Sequence, residues 1–389
     1  MTQPAPHRVL IAGGGVAGLE ALIALHSLAD AHVEITLVAP ADAFTVRALS
    51  VQNPFASPAP RRYSVPRICA DHGATFVHDA VYEVHRDTGT VATRSGEELP
   101  YDSLMIAVGA YPHVAFASAI TFRGLQDAEA MHGLIQDVEG GYAKRIAFVV
   151  PTRVSWPLPA YELALMTAER AASLNLDVAL TIVTPEDEPL GIFGPNASAN
   201  LARVLKEAGI SIITGAHVRD IDHGKVLSVS GDVIVDAQRV VTLPRLRTPR
   251  VLGLPHDVDG FLTVDEHGQV RGVPGVYAAG DGTSFPIKQG GIAAQQAAAV
   301  ARAIAHRAGA TVVPEPFRPT LRAKLLTGSQ AKYLREAIAG GGGDAASMTS
   351  DHALWWPPSK LAAPYLAPYL DRQDRGEVAP APAIGLVGR

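Results

Sequence analysis

The chain has 389 residues, of which 48% are hydrophobic and 18% charged. That is enough for two or three domains around large cores, and it excludes a globally disordered chain. A net charge of −5 with no long basic run excludes nucleic-acid binding by bulk electrostatics. The lone cysteine, Cys69, excludes an internal disulfide, a CxxC pair and a Cys-only zinc site, and the 14 histidines show no ligand spacing, so no metal is expected.

In chain order, Val9-Leu10-Ile11-Ala12 reads as a buried parallel strand that runs into Gly13-Gly14-Gly15-Val16-Ala17-Gly18. Residues 19–28 keep helical apolar spacing, and 33–38 read as the next strand, which completes a βαβ unit. Short strands at 76–77, 81–84 and 90–93 predict an antiparallel meander, with a return to a core strand at 104–108 that ends at Gly109. Cys69 falls in a first-domain helix as a small buried hydrophobe.

The order then repeats. A strand is predicted at 145–150, a helix at about 160–174, a strand at 178–183 and a second meander over 218–241. Residues 275–281 form a strand that ends in a tight turn at Gly280-Asp281, and an Ala-rich helix follows from Gly291 to Arg307. Gly340 to Gly343 mark a flexible break. The tail beyond carries Trp355, Trp356, Tyr365 and Tyr369 among prolines, and is expected to pack on the protein body or at a homodimer interface rather than on a membrane surface.

The fold class is therefore α/β: two Rossmann-like three-layer domains, each with an antiparallel meander, and a C-terminal cap. The expected boundaries are 1–115 with 250–310, then 116–249, then 311–389. No secretory signal is legible at 1–8, and no uncharged apolar run reaches about 18 residues. The expected location is cytoplasmic, at most peripheral to the inner face of the membrane.

The GxGxxG spacing carries the first chemistry. Gly13 permits the tight turn, Gly15 lets backbone approach a pyrophosphate and Gly18 lets helix and strand close up, while Val16 and Ala17 open the helix whose N-terminus attracts the phosphates. Ala39 stands where an acidic residue would bond a ribose hydroxyl, so the ribose must be held by backbone or by another side chain. Arg47 could reach the phosphates, or could simply be a solvated loop arginine.

Gly13 to Gly18, the strand that ends Ala107-Val108-Gly109, and Val276-Tyr277-Ala278-Ala279-Gly280-Asp281 resemble the three FAD-contacting segments of the two-dinucleotide-domain flavoproteins, the pyridine nucleotide–disulfide oxidoreductase superfamily. The resemblance covers about residues 8–310. It implies FAD, with the Asp281 carboxylate on the ribityl chain and the following helix, beginning near Lys288-Gln289-Gly290-Gly291, at the flavin pyrimidine edge. The family's usual Ala-Thr-Gly is here Ala107-Val108-Gly109.

A nicotinamide-binding member would repeat GxGxxG after 146–150. This chain instead reads Pro151-Thr152-Arg153-Val154-Ser155-Trp156-Pro157-Leu158-Pro159, which obstructs a pyrophosphate and removes N–H donors. Pro159-Ala160-Tyr161-Glu162, Val183-Thr184-Pro185-Glu186 and Lys288-Gln289-Gly290 are similar to the sulfide:quinone oxidoreductase and flavocytochrome sulfide dehydrogenase branch. That branch uses paired redox cysteines, and one thiol cannot make such a relay.

Two catalytic candidates follow. Glu162 could relay protons, or serve only as a first-turn acid of its helix. Lys288 could stabilise an anion at the reduced flavin. The expectation is an FAD-dependent oxidoreductase that passes two electrons from a small donor to a quinone-like or other small acceptor without a cysteine relay. The alternatives are a type II NAD(P)H dehydrogenase-like reductase with a diverged nicotinamide site, or a non-catalytic flavin-binding protein.

Overall fold

The computed structural model describes residues 5–338 and 347–377. Gly340 to Gly343, read from sequence as a break, lie outside the described residues. Seven α-helices are present among the described residues: α1 (Val16–Ala29), α2 (Val65–Asp71), α3 (Ala128–Glu139), α4 (Leu158–Ser173), α5 (Pro195–Glu207), α6 (Gly290–Arg307) and α7 (Leu366–Asp374). None is long and apolar enough to cross a membrane.

Two five-stranded sheets carry the molecule, and every strand pair in them is parallel. In the first, His7–Ala12 is central, with Val33–Val38 and then Thr75–Val77 on one side, and Ser103–Ile106 and then Val276–Ala278 on the other. In the second, Arg145–Val149 is central, flanked by Ala179–Val183 and Ile210–Ile213, and by Arg239–Thr242 and Ile120–Thr121. Central strands buried on both faces need continuous apolar runs, and Val9-Leu10-Ile11-Ala12 and Ile146-Ala147-Phe148-Val149 provide them. The antiparallel pair Tyr111–His113 with Arg245–Arg247 joins the two passages of chain between the sheets.

The meanders are present but shorter than read from sequence. The first comprises Val81–His85, Thr90–Thr93 and Glu98–Pro100; the second Val218–Asp222, Lys225–Ser228 and Val233–Asp236. Phe76 and Val77 belong instead to the edge of the first parallel sheet, and Val241 to an inner strand of the second. Runs of two or three apolar residues carry no periodicity, so the pairing partner decides their sheet.

Helix α1 is buried nearly all round, with Leu19, Leu22 and Leu25 at 0% exposure. The sheet covers one side, Ala293, Ala294, Ala297 and Ala301 of α6 another, and Leu366 and Leu370 of α7 belong to the same core. Fully burying each leucine stabilises by roughly 1.5–3 kcal/mol. The alanines let α1 and α6 approach closely, which brings the amino-terminal glycine turn against the turn before α6.

The cap is a three-stranded antiparallel sheet, Thr320–Leu325, Lys332–Ala337 and Ser347–Ser350, followed by the stretch that ends in α7. Leu321, Ala323, Leu325 and Leu334 join the core around α4. The tail therefore packs on the body, through both halves of the molecule.

Candidate functional site

Three glycine corners meet. Gly13 has φ +122°, and a Cβ there would lie 2.3 Å from the Ala107 carbonyl oxygen. A Cβ on Gly18 would lie 1.8 Å from the Gly13 carbonyl oxygen, and one on Gly280 (φ +83°) would lie 3.1 Å from Cβ of Ala17. A Cβ on Gly282 would come within 3.4 Å of the carbonyl oxygen of Gly109. Residues more than 260 positions apart in the chain thus form one floor. Gly15 differs: nothing lies within 4 Å of the Cβ position, so open space stands in front of it. Gly15 is also the N-cap of α1 and supplies no side-chain cap. The unpaired N–H groups of the first turn, Val16 and Ala17 included, face that space as an anion site.

Ala39 is buried, and a Cβ on Gly14 would touch its methyl at 3.1 Å. A carboxylate at this position would crowd the turn. Arg47 opens the 3-10 stretch Arg47–Phe55 and lies close enough to Asp281 to act on its charge.

Asp281 follows the Gly280 turn, which α6 holds in place: the Gln296 side-chain oxygen accepts from the Gly280 N–H at 2.7 Å, and the Thr283 hydroxyl donates to the Gly280 carbonyl at 3.0 Å. Burial raises the Asp281 carboxyl above the usual carboxylate range, while Lys288 and then Arg47 pull it back. The carboxylate accepts no hydrogen bond from the described residues. Lys288 is buried; its ammonium donates to the Thr283 carbonyl and stands 4.1 Å from the Phe261 ring centroid. Burial lowers its pKa to about 8, against the opposing pull of Asp281 and Asp257. Lys288 is thus the cation that acts most strongly on Asp281.

Helix α6 begins at Gly290 and Gly291. Gln289 caps the Ile292 N–H at 2.9 Å and donates to the Arg322 carbonyl at 2.7 Å. The tail closes over this helix start: a Cβ on Gly290 would meet Cδ1 of Leu361 at 3.0 Å, and one on Gly291 would meet the Ala362 carbonyl oxygen at 3.4 Å.

One residue before Leu361, Lys360 enters the body and meets Glu162 at 2.6 Å, with both side chains almost wholly buried (5% and 1% exposed). Lys360 also donates to the Ala48 carbonyl at 3.2 Å, and Glu162 accepts from the Leu326 N–H at 2.9 Å. Burial pushes the Glu162 carboxyl up and the Lys360 ammonium down, and each partner opposes the other's shift. Sequence reasoning found Glu162 but not Lys360, because nothing in Ser359-Lys360-Leu361 marks a buried partner. It also missed Glu20, fully buried, which accepts from the Tyr365 and Leu366 N–H groups at 3.0 and 2.6 Å. A glutamate inside the apolar run of α1 was the available signal.

The second half shows the opposite corner. Pro157 is the N-cap of α4 and Pro159 lies in its first turn. Val154 packs with Val150, Ala160 and Leu243, and Trp156 stands edge-on to Phe193 at 5.9 Å. Glu186, just beyond the second strand, accepts from the Tyr161 hydroxyl at 2.6 Å and the Thr184 hydroxyl at 2.8 Å. A carboxylate that could take ribose hydroxyls is thus committed to the protein itself.

Cys69 is buried in α2, and burial pushes its thiol up to about 12. No group of three or more His, Cys, Asp or Glu able to hold a metal occurs among the described residues.

Paired parallel sheets with meanders, the first ending in packed glycine corners, define the class of two-dinucleotide-domain proteins. The sequence pattern of the pyridine nucleotide-disulphide oxidoreductase family matches residues 7–150 and 158–303, and the chain belongs to that family. The interruption falls on the proline-rich corner. Among relatives, monodehydroascorbate reductase of Arabidopsis thaliana is 24% identical over 214 residues, 51% of this chain and 40% of that protein. Sulfide-quinone reductase of Aquifex aeolicus is 26% identical over 268 residues, 64% of this chain and 61% of that protein. The matches span less than two thirds of these relatives. The crystal structure of the Aquifex sulfide:quinone oxidoreductase superposes with a TM-score of 0.77 over 89% of this chain and 87% of that one, at 19% identity, which speaks for a shared fold.

Proposed function

We propose that the chain is an FAD-dependent oxidoreductase that passes two electrons from a small donor to a quinone-like or other small acceptor without a thiol relay. The observation that carries this reading is Asp281, a half-buried carboxylate that accepts no hydrogen bond from the described residues, on a turn packed against the open, uncapped start of α1. A carboxylate with open acceptor capacity at such a corner can take a ligand hydroxyl.

The residues present fit FAD. Gly13, Gly15 and the first turn of α1 would hold the pyrophosphate, the backbone at Ala107 and Gly109 would line the approach, and Asp281 would accept from the ribityl hydroxyls. The Gly290 and Gly291 N–H groups would face the pyrimidine edge. FAD, when bound, supplies the electron-pair chemistry. Lys288 keeps positive charge beside Asp281 at neutral pH. Lys360 donates to Glu162 Oε2 beside the tail segment that covers α6, which makes this buried pair the candidate for holding a proton near the site. The single thiol, buried on α2, supports a relay-free reading.

A second reading, a nicotinamide-dependent reductase, draws on the retained second parallel sheet. The filled corner at 151–159 and the engaged Glu186 favour the first. The test is the visible spectrum of the purified protein, followed by anaerobic stopped-flow titration with sulfide, NADH, NADPH and a quinol analogue. The expected result is yellow protein bleached by a non-nicotinamide donor. Colourless protein that refuses added FAD would overturn the reading, and rapid bleaching by NADH would establish the second.

A further inference from the structure

The outer face of the cap sheet holds an arrangement that the proposed redox centre does not use. Strands Thr320–Leu325 and Lys332–Ala337 pair antiparallel with Arg322 directly opposite Arg335. Side chains alternate across a sheet, so Leu321, Ala323 and Leu325 enter the core while Arg322 and Lys324 share the other face with Tyr333 and Arg335. Like charges directly opposite one another are destabilising. Here the pair is also half-buried: burial, then Arg335, lowers the Arg322 guanidinium below its usual value, and no carboxylate among the described residues counteracts this. Neither guanidinium makes a hydrogen bond or ion pair with the described residues.

The surroundings are cationic and aromatic. Lys324 lies 5.6 Å from the Tyr333 ring centroid, and Trp355 packs edge-on to Tyr333 at 5.2 Å. Met348, on the third strand opposite Arg335, is 41% exposed, so the face is open there. The Arg322 carbonyl is the one that Gln289 grips at the start of α6. The arginine pair therefore stands next to the helix whose N-terminus closes the candidate flavin site.

We propose that Arg322 and Arg335 form a binding site for the oxyanion head, carboxylate or phosphate, of a small organic molecule whose body rests on the Tyr333–Trp355 edge and Met348. Two guanidinium groups set opposite one another on adjacent strands can both donate to such a head, and the anion removes the repulsion that the pair carries. Calling this molecule the enzyme's donor or acceptor rests on the function proposed above; the site itself does not, and its test needs no turnover.

The test uses the purified full chain at fixed ionic strength, with tryptophan fluorescence and thermal unfolding read during titration with benzoate, phenyl phosphate, neutral benzamide and sodium chloride. Benzoate, phenyl phosphate or both should quench fluorescence and raise Tm, with the stronger of the two naming the head group, while benzamide and chloride do neither. Arg322→Gln and Arg335→Gln should each weaken binding about tenfold or more. Arg335→Gln should also raise Tm in the absence of anion, because the repulsion is gone. Arg318→Gln, at an exposed arginine outside the sheet, should bind like the wild type. Equal responses to benzamide or chloride, or undiminished binding in both sheet variants, would overturn the site. Should those variants fail to fold, saturation-transfer NMR on the wild-type chain decides the question: transfer to benzoate or phenyl phosphate but not to benzamide supports the site, and no preference for the anions overturns it.

Discussion

Helices α1 and α4 hold the same place in the two halves of the molecule, each following the central strand of a five-stranded parallel sheet. Each also buries a glutamate completely, at the fifth position after its N-cap residue: Glu20 after Gly15 and Glu162 after Pro157. Their mouths have diverged. The α1 mouth is glycine-lined and open, whereas that of α4 is occupied by proline, valine and tryptophan, with the neighbouring Glu186 already bonded. Both halves bury a carboxylate, and one stretch of tail serves both, through Lys360 at Glu162 and the Tyr365 and Leu366 N–H groups at Glu20. Two similar sheet–helix units can thus differ at the helix mouth while keeping the same packing, and the cap ties the two halves together through their glutamates.

The comparison breaks most severely at the α4 carboxylate. Lys360→Met leaves Glu162 buried and unpaired, and urea unfolding should show a loss of about 3–5 kcal/mol. Adding Glu162→Gln should restore much of that loss, since no charge is then stranded; a double variant as unstable as the single one would mean that Lys360 acts through packing alone.

The α1 carboxylate should reveal itself through pH. Burial raises Glu20 from 4.5 to about 7, so the folded chain holds a proton that the unfolded chain has released. Its contribution is full below pH 4.5, declines as pH rises through about 7, and is flat above that. The decline amounts to at most about 3 kcal/mol. Chemical unfolding of the wild type and of Glu20→Gln across this range should differ by that slope, and parallel curves would show that Glu20 stays ionised throughout.

The open corner can be divided into packing and binding. Gly13→Ala forces a Cβ into the Ala107 carbonyl at a positive φ and should cost about 2–3 kcal/mol in calorimetry. In the closed corner, Tyr161→Phe removes one of two hydroxyl donors to Glu186 and should cost about 1–2 kcal/mol without creating NADH binding, as titration calorimetry would report. Gly15→Ala should change stability by no more than about 0.5 kcal/mol, because its Cβ meets nothing, and yet should weaken FAD retention on a desalting column. Retention equal to wild type would remove Gly15 from the site.

Much of this was legible before folding. The strand 9–12, the glycine turn after it and the turn at Gly280-Asp281 announced two ends of one site, since Gly spacing between an apolar strand and a helix has few other uses. The proline-rich corner after residue 150 was equally plain, because Pro151, Pro157 and Pro159 and the branched Val154 mark it locally. Strand allegiance at Phe76 and Val241 was not legible, as their burial depends on which strand lies alongside. The cap sheet, with its opposed Arg322 and Arg335, was likewise hidden, because cross-strand register is set by partners distant in sequence.

Local chemistry written into the chain was therefore enough for the α/β class, the open glycine corner and the closed proline one. That Lys360 finds Glu162, that the Tyr365 and Leu366 amides find Glu20, and that Asp281 accepts no hydrogen bond from the described residues came only with the packed molecule. Burial and pairing are properties of neighbours brought together across up to about 345 positions of chain, and no local pattern encodes which polar group will meet another once water is excluded.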